Sequence, residues 1–81
     1  MFGNVLWFND KLGYGFIGNK NINSDIFFHF KEIQMDGFKT LKEGDYVKFN
    51  FDKELTKATN VELIRKGKDI YGNKNIRKKF K

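Results

Sequence analysis

A chain of 81 residues without cysteine has the length of one domain, and it can form neither a disulfide nor a thiolate metal site. It has no apolar run near the roughly 18 residues of a membrane span, and Met1–Asn4 lacks the basic flank and apolar stretch of a secretory leader. The expected setting is therefore the cytoplasm, away from membranes. The net charge of +6 sits at one end: residues 1–64 hold eight Lys against nine Asp and Glu, whereas residues 65–81 hold eight Lys and Arg against one Asp. Such a tail draws polyanions, nucleic acid before acidic membrane surfaces; the alternative is a solubilising end with no specific partner.

Residues 4–9 are rich in β-branched and aromatic types and read as a strand. Asn9 to Gly13 is turn-like, and a second strand runs from Tyr14 to Gly18. There, period two puts Tyr14 and Phe16 on one face and Gly15 and Ile17 on the other. Residues 19–24 form a polar loop before a third strand, Asp25 to Phe30, in which Phe27 and His29 share one face and Ile26 and Phe28 the other. In the long stretch 31–44, Lys31-Glu32-Ile33 predicts one helical or 3₁₀ turn, and Phe38 and Leu41 are the residues available to pin the loop to the body. A fourth strand, Tyr46 to Phe51, points Val47, Phe49 and Phe51 inward. A short charged connection leads to a fifth strand, Ala58 to Ile64, with Val61 and Leu63 on one side. No helical segment approaches ten residues. Five short strands with one longer loop predict an all-β fold, a five-stranded antiparallel barrel of the OB type over residues 1–64. Residues 65–81 are expected to stay disordered until a partner binds.

The second and third strands share one pattern. If they pair, Tyr14, Phe16, Phe27 and His29 form a single outward patch. Counting Trp7, Phe8, Phe28 and Phe30, eight ring side chains fall within residues 7–30, more than one side of a small sheet can bury. Were Tyr14, Phe16 and Phe27 core residues, Ile17 and Ile26 would face water beside Gly15, an inversion of the usual order. Exposed rings stack bases, so the predicted ligand is single-stranded nucleic acid. Exposed aromatic patches also mark protein partners, and a protein-interaction module is the second reading. An RRM shares this aromatic vocabulary but needs two helices that the pattern does not offer. Catalysis is not expected, because there is no nucleophile–base pair or phosphate loop. The single His29 has no companions for a metal, and no cofactor or small-molecule substrate is implied. Monomer is the default state.

The pieces Trp7-Phe8-Asn9, Gly13-Tyr14-Gly15-Phe16-Ile17, Asp25-Ile26-Phe27-Phe28-His29-Phe30 and Gly37-Phe38-Lys39-Thr40-Leu41, with Glu43-Gly44 and Ala58 to Val61, resemble the cold-shock domain in order and spacing over roughly residues 3–64. The resemblance implies an OB barrel binding single-stranded RNA and DNA on one aromatic face, as an RNA chaperone or a regulator of transcription or translation. By position it implies base stacking by Trp7, Tyr14, Phe16, Phe27, His29, Phe30 and Phe38, with Phe8 close by. It further implies hydrogen bonds to bases from Asn9 and Asp25, and a backbone contact from Lys39. Asp25 reads equally well as a turn residue, and Lys39 as an ordinary solvated lysine. Where the family usually carries lysine, this chain has Leu6 and Leu12; Lys11 stands one place away, and the basic tail is a candidate replacement for the missing charge.

Overall fold

In the computed structural model, which describes residues 1–67, the alternating pattern becomes five strands. They are β1 (Phe2–Asn9), β2 (Tyr14–Asn19), β3 (Ile22–His29), β4 (Tyr46–Asp52) and β5 (Lys57–Arg65), with one 3₁₀ turn, Phe30–Glu32, after β3. They close a barrel in the order β1-β2-β3-β5-β4, the all-β, OB-type architecture that the sequence predicts. The β1–β2, β2–β3, β1–β4 and β4–β5 seams are antiparallel. The seam that closes the ring, β3 with β5, is parallel through Phe27 and Lys57. Its parallel sense is a matter of parity: directions cannot alternate all the way round a ring with an odd number of strands. Among the described residues no helix is long and apolar enough to cross a membrane.

The inward positions make one core of Val5, Ile17, Ile26, Phe28, Ile33, Leu41, Val47, Phe49, Ala58 and Val61. Ile17 and Ile26 have no accessible surface, so the rings beside them in sequence are turned outward. Phe51 and Leu63 are partly buried against this core.

Three local features differ from the sequence reading. β3 begins at Ile22, because the expected polar loop shrinks to a turn at Lys20-Asn21 in which Asn19 Oδ1 accepts from the Asn21 N–H at 2.7 Å. Asn23, Ser24 and Asp25 lie in that strand and are exposed; polarity marks an outer edge here, not a break. Of the two residues expected to pin the long connection, Leu41 is buried, as is Ile33 at its start, while Phe38 is 72% exposed and pins nothing. Packing also continues past Ile64: β5 runs to Arg65, and Gly67 is buried against Gly44. The tail expectation otherwise falls on residues 68–81, outside the described part.

Candidate nucleic-acid interface

Strand register builds the site. Asn9 pairs with Tyr14, Trp7 with Phe16, Phe16 with Phe27, and Tyr14 with His29. Three adjacent strands therefore present their outward residues in rows. A register shift between Val5 and Trp7 keeps Val5 inward while bringing Trp7 outward, two positions on. Trp7 lies 5.6 Å from Tyr14 and 6.2 Å from Phe16 between ring centroids, Tyr14 lies 5.5 Å from Phe27, and Phe16 lies 6.0 Å from Phe27. These four rings touch edge and face in one continuous surface, each holding its neighbours' rotamers. Trp7 remains 40% exposed.

His29 extends the row toward a second cluster. Its ring lies 4.8 Å from Phe30, and its Nδ1 accepts from the Lys31 N–H at 3.2 Å, which leaves the proton on Nε2. Phe30 is held from the other side by Gly13. The Phe30 N–H donates to the Gly13 carbonyl at 2.8 Å, and a Cβ added to Gly13 would come within 3.0 Å of the ring. Gly13 also has φ of +75°, so glycine is required there twice over. Beyond Phe30 opens a cleft of about 570 Å³, whose walls include Leu12, Phe38 and three cations: Lys11, Lys31 and Lys39. These lysines are far apart in sequence, and only the approach of the 37–39 loop to the β1–β2 turn assembles them. The Thr40 hydroxyl donating to Asp10 Oδ1 at 2.5 Å ties the two loops together.

Not every expected residue joins the face. Phe8 points the other way: it pairs with Gly15, is partly buried, and stacks on core residue Phe28 at 5.6 Å with 11° between the planes. It supports the face from beneath. Asn9 is on the outer side, but its Oδ1 accepts from the Leu12 N–H at 2.9 Å, so its first task is to shape the turn. Asp25 sits within β3 and is exposed on the same side as Phe27, which removes the turn-residue alternative. Two cations escaped the sequence reading. One is Lys31 in the cleft; the other is Lys57, which the parallel closure sets opposite Phe27. A pairing between residues thirty positions apart leaves no local signal. Leu6 and Leu12 are exposed at 43% and 57%; Leu6 drapes over Gly18, and Leu12 stands at the cleft. Among the described residues no three His, Asp or Glu side chains gather as metal ligands would.

A closed five-stranded barrel with an outward aromatic row and a lysine-lined cleft defines a small OB-type nucleic-acid-binding protein. The chain belongs to the cold-shock domain family: the model of the "Cold-shock" DNA-binding domain matches residues 1–64. It is 45% identical to a cold shock-like protein of Aquifex aeolicus over 64 residues, covering 76% of this chain and 91% of that one. It is 46% identical to a cold shock-like protein of Thermotoga maritima over 66 residues, covering 79% and 98% of the two chains. Cold shock protein CspV of Vibrio cholerae is also 46% identical over 66 residues, covering 79% and 94%.

Proposed function

We propose that the protein binds single-stranded RNA or DNA by stacking bases on Trp7, Tyr14, Phe16, Phe27, His29, Phe30 and Phe38, and that it acts as an RNA chaperone or cold-shock-type regulator without catalysis. The observation that carries this reading is the contact of Trp7, Tyr14, Phe16 and Phe27 in one solvent-facing surface. Rings that form a layer already share the cost of being fixed, so a base arrives on an ordered platform. Each stacked base contributes about 1–3 kcal/mol by alanine substitution, largely whatever its identity. A duplex keeps its base faces covered, so unpaired strands are preferred and weak RNA structure is held open. Asp25 and Asn9 supply hydrogen-bonding edges beside the rings, while Lys11, Lys31, Lys39 and Lys57 meet phosphates.

Trp7 is the only tryptophan, and a base stacked on it will quench its fluorescence. Titration with oligo-dT and oligo-U is expected to give saturable quenching, weaker with duplex of the same length. The salt dependence counts the phosphates engaged. Absence of quenching at high micromolar strand would remove the reading and favour a protein partner for the exposed rings.

A further inference from the structure

β1 carries a second aromatic surface at its other end. Gly3 and Val5 face inward and are buried, so Phe2 and Asn4 continue the outward row that ends in Trp7 and Asn9. The Phe2 ring stacks on Tyr46 with centroids 5.7 Å apart and planes 10° from parallel. The Arg65 guanidinium carbon lies 5.1 Å from the Tyr46 centroid. Tyr46 thus holds a ring and a cation from the strands on either side of β4. Phe2 remains 46% exposed. Beside it lies an open cleft of about 490 Å³ whose walls include Asn4, Asn19, Lys20 and Asn21. Asn19 is already committed, its Nδ2 donating to the Phe2 carbonyl at 2.6 Å.

Part of this cluster is strand-end packing, since cross-strand aromatic pairs stabilise sheets. Packing alone does not call for a large ring left nearly half in water, next to a cleft lined with amides and a lysine. The cations here are Lys20, Arg65 and Lys48, which pairs with Phe2; Glu62, opposite Lys48 on β5, is the acidic neighbour. A flat exposed ring, amide edges and nearby cations are the groups that one further nucleotide would meet. Phe2 lies on the strand that bears Trp7, about 16–17 Å away along β1 at the usual rise per residue.

We propose that Phe2, Tyr46 and Arg65 form an additional stacking subsite, taking one base of the same single strand beyond those on the main ring face, with Lys20 meeting its phosphate. This rests on the stacking function proposed above. It makes the occupied strand longer than the main face alone requires, and a short oligonucleotide held there cannot reach Phe2.

The test compares oligo-dT of about 4 and about 12 nucleotides, within the range of site sizes of OB folds, with Trp7 quenching as readout on the full chain. Lengthening the strand is expected to tighten native binding. Phe2→Ala is expected to weaken binding of the long strand by about 5- to 160-fold while leaving the short one unchanged. Phe2→Leu keeps an apolar side chain against Tyr46 without a flat face; it should show the same selective loss at a melting temperature close to native. Photocross-linking with 5-iodouracil near the strand end should modify Phe2 or Tyr46. Native-like binding of the long strand by both variants, or an equal loss for both lengths, or cross-links confined to residues 7–38, would overturn the subsite while the main face stands. Absence of native quenching at either length would instead remove the main face, and the subsite with it.

Discussion

Asp45 and Gly67 are joined across the base of the barrel: the Gly67 N–H donates to Asp45 Oδ1 at 2.9 Å, while Asp45 Oδ2 accepts from the Lys42 N–H at 2.9 Å. Asp45 is 5% exposed and the only buried charged residue among those described. One carboxylate thus anchors both the long 33–45 connection and the chain leaving β5. Asp45→Ala would leave the buried Gly67 N–H without its partner, at a cost of about 1–3 kcal/mol, and would also release the half-buried Lys42 N–H. We expect a lower denaturant midpoint, with Asp45→Asn milder because one carbonyl oxygen remains. Oligonucleotide affinity of the folded variant should be unchanged, since Asp45 lies off the ring face.

Phe27 is central to the ring face and absent from the core. Phe27→Ala should weaken single-strand binding by about 1–3 kcal/mol and leave thermal stability little altered. The paired measurement is Trp7 quenching with a thermal melt. Loss of folding without loss of affinity would show that the ring is structural.

Gly15 lies where a Cβ would collide with the Trp7 backbone carbonyl and come within 2.9 Å of Phe8 Cδ1. Gly15→Ala is expected to destabilise the barrel by about 1–3 kcal/mol through overpacking. Adding Phe8→Leu should give no rescue, because the backbone contact cannot yield. Chemical denaturation of the single and double variants decides this.

Leu12 is exposed beside Lys11 and Lys39, so Leu12→Lys should be nearly neutral for stability. It should strengthen binding at low salt and steepen the salt slope by about 0.7, the contribution of one added phosphate contact on a single strand. An unchanged slope would mean that the bound strand does not pass this corner.

Residues 68–81 carry six Lys and Arg. If they contact the bound strand, removing them should flatten the salt slope by about 0.7 per phosphate released. The cut belongs after Gly67, because a chain ending at Ile64 would also lose Arg65 and the bond to Asp45. A slope that survives the truncation would leave the tail as a solubilising end.

The sequence by itself determined the five strands in outline, the inward turn of Ile17, Ile26, Phe28, Val47 and Phe49, and the outward turn of Tyr14, Phe16 and Phe27. Alternation with period two is a local property, and Ile17 and Ile26 could not be placed in water without exposing the best core formers in the chain. The tertiary structure alone decided the inward turn of Phe8, the extension of β3 back to Ile22, the gathering of Lys11, Lys31 and Lys39, and the pairing of Lys57 with Phe27. It also decided the Asp45 anchor. Each of these depends on a register shift, on barrel closure or on the meeting of two loops. Such contacts join residues that are distant along the chain, and a side chain facing its partner across a barrel leaves no trace in the spacing of its own neighbours.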